Sequence, residues 1–214
     1  SLNKPVEVYR AVQCAMENCG NPGRGGHRPA MTAAATVLRC REQAGELFHC
    51  KPEQVVMTNN CTHGLNIAIG TLVHKGARVV ISGFEHNAVT RPLYARNAQI
   101  TVAGRKLFDQ ADTLEQFERA LKAGADAVVV THASNVFGYV LPVYEIGTLC
   151  RQYGVPFAVD AAQSAGTIPI DFTKWGADFI ALPGHKGLLG PQGTGLLLCS
   201  RKPIPLLQGG TGSQ

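Results

Sequence analysis

Five side chains able to do chemistry lie far apart in this sequence, each just beyond a short apolar run: Thr62, His86, Asn135, Asp160 and Lys186. Lys186 lies in Leu182-Pro183-Gly184-His185-Lys186-Gly187-Leu188-Leu189-Gly190-Pro191-Gln192-Gly193-Thr194-Gly195, a glycine-rich turn that follows Asp178-Phe179-Ile180-Ala181-Leu182. Burial disfavours the ammonium form of an amine, and an amine at the end of a buried strand can therefore attack a carbonyl to form a Schiff base. Taken alone, Gly-His-Lys-Gly reads more readily as a surface turn. Asp160 ends another apolar run and opens Asp160-Ala161-Ala162-Gln163-Ser164-Ala165-Gly166, whose small residues allow close approach. A carboxylate at the end of a buried strand needs a positive partner, because leaving it unpaired costs several kcal/mol. A protonated pyridine nitrogen is one such partner.

The elements that must position these groups can be read from the hydrophobic pattern. Strands are expected at 54–58, 79–81, 100–102, 127–131, 156–159 and 178–182, and helices at 5–19, 31–50, 65–73, 88–96, 114–122 and 143–153. The first strand runs through Asn59-Asn60-Cys61-Thr62-His63-Gly64 into a helix, and the open first-turn N–H groups of such a helix bind phosphate. Taken alone, Thr62 reads more readily as only the N-cap of that helix. His86 follows the second strand, where an imidazole can stack on a planar ring or donate a hydrogen bond. Strand and helix alternate with short connections, which predicts a three-layer α/β fold with a mainly parallel sheet and helices on both faces. Ligands of such sheets gather beyond the carboxyl ends of the strands, where all five residues fall. An acid for a pyridinium, an amine for an aldehyde and a helix N-terminus for a phosphate together describe a pyridoxal 5′-phosphate site.

Composition narrows the class. The 214 residues, 45% of them hydrophobic, suffice for one well-buried core. Twenty Lys and Arg against fifteen Asp and Glu give a formal charge of +5. The basic residues are scattered, unlike a nucleic-acid arm or a polybasic membrane patch. No apolar stretch has the length of a membrane span, and the sequence is expected to be soluble and cytoplasmic. Seven dispersed cysteines, with no Cys-x-x-Cys pair, predict neither zinc nor a dithiol; most are expected to be reduced and buried.

Val159-Asp160-Ala161-Ala162-Gln163, Gly184-His185-Lys186, Glu85-His86-Asn87, His132-Ala133-Ser134-Asn135-Val136 and Asn21-Pro22-Gly23-Arg24-Gly25-Gly26-His27 resemble, in this order, the class V aminotransferase family of fold type I. Within it they are most similar to the cysteine desulfurase and selenocysteine lyase branch. The resemblance implies that Lys186 forms the Schiff base and later shuttles the substrate's α-proton. It implies that Asp160 holds the pyridinium, His86 stacks on the ring and Gln163 hydrogen-bonds the phenolic oxygen. Cys61, Thr62 and His185 would serve the phosphate, and Asn135 the cofactor and the substrate carboxylate. Arg24 and His27 would border the substrate entrance. Gly209-Gly210-Thr211-Gly212-Ser213 resembles the loop by which a neighbouring subunit completes the phosphate site, implying a homodimer with Thr211 as a cofactor ligand.

The resemblance further implies L-cysteine as substrate, L-alanine and an enzyme-bound persulfide as products, and a sulfur-acceptor protein as a partner. Residues 1–27 would form an N-terminal helix and substrate-side loop, and 28–214 the cofactor-binding large domain. The family's small C-terminal domain, with its persulfide cysteine and carboxylate-binding arginine, is expected to be missing, which would leave the isolated chain weakly active or inactive. Two departures stand out. Pro183 occupies a position where relatives often have a hydroxyl for the phosphate, and Cys61 and His63 stand where Ala and Glu are common. Transamination, another lyase reaction or an inactive scaffold are the alternative readings.

Overall fold

The computed structural model describes residues 3–23 and 25–209. Helices α1 (Val6–Asn18) and α2 (Arg28–Phe48) precede β1 (Val55–Thr58), after which α3 (Cys61–Leu72), β2 (Arg78–Ser82), α4 (Asn87–Ala95) and β3 (Gln99–Ala103) alternate. Then come α5 (Gln110–Lys122), β4 (Ala127–Thr131), α6 (Val143–Tyr153), β5 (Phe157–Asp160), the short α7 (Phe172–Trp175), β6 (Phe179–Pro183) and β7 (Gly195–Cys199). The seven strands form one sheet in the order β1-β7-β6-β5-β4-β2-β3. All pairs from β6 to β3 are parallel, while β7 runs antiparallel to both β6 and β1.

Alternation along the strands sends side chains into two cores. Val128 and Val130 of β4 pack with Phe117 of α5, Ile146 of α6 and Phe48 of α2. Ala127 and Val129 pack on the other face with Leu65 and Ile69 of α3 and Leu93 of α4. Central strands buried on both faces read as continuous apolar runs, which is why Ala127–Thr131 and Phe179–Pro183 show no polar alternation. The expected three-layer, mainly parallel architecture is therefore present.

Two elements differ from expectation. β7 follows directly on the glycine-rich turn, where no element was expected; its Leu196-Leu197-Leu198 core fills the slot between β1 and β6. α7, a single turn capped by Asp171, was also not expected. Helices α2 and α3 start earlier than periodicity alone suggests, because caps set them: His27 Nδ1 accepts from the Ala30 amide at the start of α2, and Asn60 Oδ1 from the His63 amide at the start of α3. Helix α1, although periodic, buries none of its residues, and Tyr9, Val12 and Met16 are exposed. Only Cys61, Cys150 and Cys199 are buried; Cys14 and Cys40 are exposed on α1 and α2, contrary to the expectation for most of the seven. No described helix is long and apolar enough to cross a membrane.

Candidate active site

Because β1 reaches β6 through two antiparallel steps, it runs in the same direction as the parallel strands. All six therefore end on one edge, and there a cleft opens, lined by Cys61, Thr62, His86, Asn135, Asp160, Gln163, His185 and Lys186. These residues were singled out from sequence, and the fold brings them together from five strand ends. The order β5-β4-β2-β3 reverses chain direction across the sheet between β4 and β2, so the cleft sits at a topological switch point. His27 does not line it; its ring caps α2. Arg24 and Thr211 lie outside the described residues.

Asp160 is the last residue of β5 and 2% exposed. Its Oδ1 accepts two hydrogen bonds, from the Ala162 amide at 2.8 Å and from the Cys61 thiol at 3.3 Å. Among the described residues Oδ2 accepts none, and Asp160 forms no salt bridge. Burial pushes the carboxyl above its ordinary range; the Ala162 and Cys61 donors and the charges of His86 and Lys186 oppose that push without cancelling it. The site thus contains a carboxylate with one oxygen fixed and the other free for an incoming cation. Cys61 is held well above the usual thiol range, by burial first and by Asp160 next, so it acts as a donor and not as a thiolate.

Lys186 follows β6, which pairs with β5 through Asp160↔Ala181, so amine and acid approach from adjacent strands. Its loop is closed on itself by Gly190 N–H to the Gly184 carbonyl at 2.7 Å and Leu189 N–H to the Lys186 carbonyl at 2.9 Å. A Cβ on Gly187 would stand 2.3 Å from the Ala165 carbonyl oxygen, so only glycine lets this loop lie on the turn that follows Asp160. Lys4 adds a tether from the N-terminal segment, donating to the His185 carbonyl at 2.8 Å. Burial, with Lys186 and Lys4 nearby, lowers His185 below the ordinary imidazole range, and its buried Nδ1 has no partner.

At the end nearest α3, Asn60 is the N-cap, correcting the assignment of Thr62 to that task. The Asn60 side chain takes the His63 amide and its carbonyl the Gly64 amide, which leaves the first-turn amides of Cys61 and Thr62 open and the positive end of the helix dipole beside the cleft. His86 caps α4 with Nδ1 accepting from the Ala88 amide at 3.1 Å, so its ring donor is Nε2. His132, by contrast, is a core residue: it packs edge-on against Trp175 at 4.6 Å, and burial lowers it to about 4.

Sequence reading gave no role to Asn60, Thr131, Ala133 or Ala162, which also line the cleft. An Asn just before a helical pattern was an available signal for the first. The others contribute small size or backbone, which residue type does not announce. Among the described residues, no group of three His, Cys, Asp or Glu side chains is placed to hold a metal.

A family model described as aminotransferase class-V matches residues 1–213. A probable cysteine desulfurase of Methanothermobacter thermautotrophicus is 36% identical over 96% of this chain and 54% of its own length. The cysteine desulfurase IscS of Vibrio atlanticus is 34% identical over 93% of this chain and 51% of its own. The apo structure of a cysteine desulfurase from Thermococcus onnurineus superposes with a TM-score of 0.84 at 31% identity, covering 93% of this chain and 51% of that one. The chain spans about half the length of the curated relatives it matches.

Proposed function

We propose, since this chain belongs to the class V aminotransferase family, that it is the pyridoxal 5′-phosphate-binding large domain of a cysteine desulfurase. In the whole protein L-cysteine and an acceptor thiol would give L-alanine and a persulfide. The observation that carries the reading is the pairing of Asp160, with Oδ2 free, and Lys186 on adjacent strands beside the open N-terminus of α3.

The residues present fit that cofactor. Asp160 Oδ2 is the acceptor for a pyridinium N–H, the free amides of Cys61 and Thr62 suit the phosphate, and backbone donors make good the hydroxyl missing at Pro183. Half-buried and held below the ordinary imidazole range, His185 adds a donor nearby. Bound there, the group supplies an electron sink for charge developing at the substrate's α-carbon. Lys186 Nζ is the attachment point for its aldehyde and the base that takes and returns the α-proton. Asp160, kept ionised by the pyridinium, maintains the sink. His86 would cover the ring, Gln163 would reach its phenolic oxygen, and Asn135 would serve the substrate carboxylate; the family motif assigns Arg24 and His27 to the entrance. Cys61 is the one cysteine lining the cleft, and its thiol is spoken for by Asp160. The accepting thiol therefore comes from elsewhere in the protein, and this chain alone turns over weakly or not at all. A cytoplasmic homodimer, with Thr211 reaching the partner's phosphate site and a sulfur-acceptor protein docking on it, completes the proposal.

Borohydride reduction after incubation with pyridoxal 5′-phosphate tests the cofactor assignment. The expected outcome is one modified peptide bearing Lys186, absent from Lys186→Ala. Incubation of the full-length protein with L-cysteine and a thiol acceptor should then yield alanine and persulfide in equal amounts; pyruvate with ammonia and sulfide in place of alanine would assign a β-eliminating lyase, and 3-mercaptopyruvate would assign transamination.

A further inference from the structure

None of the steps above uses Glu85, yet its carboxyl group is buried beside the cleft. Its Oε1 accepts three hydrogen bonds: from the Ser82 amide at 3.3 Å, from the Ser82 hydroxyl, and from the Thr131 amide at 3.0 Å. Its Oε2 is buried with no partner. Ser82 and Thr131 are the last residues of β2 and β4, whose parallel pairing stops at Ile81↔Val129. Beyond that pair the strands part to open the cleft, and the Thr131 amide would be left without a backbone acceptor. A buried amide left unpaired costs about 1–3 kcal/mol, so a side chain that supplies the acceptor is under strong constraint. The same Ser82 hydroxyl also accepts from the Phe84 amide at 3.1 Å, which carries the tie into the turn ending at His86.

We propose that Glu85 is a positioning residue: by bridging the parted ends of β2 and β4 it fixes the turn that presents His86 to the cleft. That claim stands on the hydrogen bonds alone; its consequence for a bound cofactor rests on the reading given under Proposed function. Glu85 does this work as a neutral acid. No described salt bridge includes it, and burial lifts its carboxyl to about 8, with the donors of Ser82 and Thr131 opposing and Asp160 adding to the rise. On the elements around it, Asp160 of β5 disfavours its ionisation, His86 adjoins it at the start of α4, and Ser82 of β2 and Thr131 of β4 bring no charge. A glutamine reproduces that neutral form, keeping one accepting oxygen for the three donors.

A carboxyl raised in the folded protein contributes stability that is fully present below its ordinary value of 4.5 and is lost as pH rises through about 8. Glu85→Gln cannot ionise and should not show that loss. The decisive measurement is hydrogen exchange of the Ser82, Thr131 and Ala88 amides in the cofactor-free, full-length protein, each variant compared with wild type at the same pH. The Ala88 amide is the readout for His86, since its acceptor is His86 Nδ1. At pH 7, Glu85→Ala should lower protection at all three amides at least tenfold, and Glu85→Gln by less than threefold. Between pH 7 and pH 9 wild type should lose protection relative to Glu85→Gln. An Ala88 amide untouched by Glu85→Ala would overturn the proposal, as would a Glu85→Gln protein that behaves like Glu85→Ala. If Glu85→Ala does not fold, the pH series decides: a Glu85→Gln protein that loses protection in parallel with wild type rules the idea out. Because this arm uses no cofactor, failure of pyridoxal 5′-phosphate to bind would sink the functional reading and leave the assignment of Glu85 standing.

Discussion

Two regions of the cleft each hold a buried carboxyl group, and they solve the same electrostatic problem in opposite ways. At the β5–β6 end, Asp160 commits Oδ1 to Ala162 and Cys61 and leaves Oδ2 without a protein partner. Two strands from β5 in the sheet order, at the β2–β4 gap, Glu85 gathers every donor on Oε1 and seals Oε2 in the interior. Burial pushes both carboxyls upward. The difference lies in what can relieve the strain. A cation arriving in the cleft can pair with Asp160, whereas Glu85 has no opening toward one and is relieved only by a proton. Two acids whose carboxyl groups are both withdrawn from solvent can therefore differ in kind: one is a ligand site held ready, the other a structural tie that must stay neutral.

The largest expected break in this comparison is Asp160→Asn. If Asp160 waits for a cation, the amide should lower alanine formation by the full-length protein at least a hundredfold, about 3 kcal/mol of barrier. The cofactor-free protein should move the other way and gain about 1–2 kcal/mol near pH 7, because an unpaired buried charge is replaced by an isostere. The folded carboxyl is raised, so this gain is absent below its ordinary value of 3.8 and grows as pH rises above it. Thermal melts at pH 4 and pH 7 read the gain; a variant no more stable than wild type at pH 7 would show that Asp160 is not under strain.

Next in size is Gly187→Ala, which tests whether the β5–β6 region is preset by packing. The added Cβ would meet the Ala165 carbonyl oxygen at 2.3 Å and Thr167 Cγ2 at 2.9 Å, and backbone cannot yield as a flexible side chain can. Overpacking of this kind costs about 1–3 kcal/mol, or roughly 2–4 °C in Tm per kcal/mol for a chain of this size. Borohydride fixation at the adjoining Lys186 should slow in parallel. An unchanged Tm would mean that the Lys186 loop is loosely seated.

Which parts of this were legible in the sequence follows the range of the interactions. Phe157 to Val159 and Ile180 to Leu182 are local apolar runs, and the strands they announce carry Asp160 and Lys186 to one edge with the help of simple alternation. β7 was not legible, because Leu196-Leu197-Leu198 is a run too short to stand out among glycines and prolines until β1 and β6 are in place around it. The cap of α3 was misassigned because Asn60 and Thr62 are both good capping residues, and only backbone geometry separates them. The motif around His27 pointed to the substrate entrance, and nothing in it announced the ring's task as acceptor for the Ala30 amide at the start of α2. Glu85 was quoted within a motif but had no readable role, since one of its donors, Thr131, lies 46 positions away.

The smallest effect sharpens the comparison most directly, because it acts on one donor to one oxygen. The Cys61 thiol is the second donor to Asp160 Oδ1. Cys61→Ala leaves the Ala162 amide in place and should cost about 1 kcal/mol in the cofactor-free protein. With one opposing donor removed, the Asp160 carboxyl should rise further, and pyridoxal 5′-phosphate should bind a few-fold more weakly. Cys61→Ser separates the two things the thiol provides. A hydroxyl donates a stronger hydrogen bond from a smaller atom, so recovery of wild-type affinity in the serine variant would assign the effect to the donor. Equal weakening in both variants would instead assign it to lost volume at the start of α3, and Asp160 would then be oriented by the Ala162 amide alone.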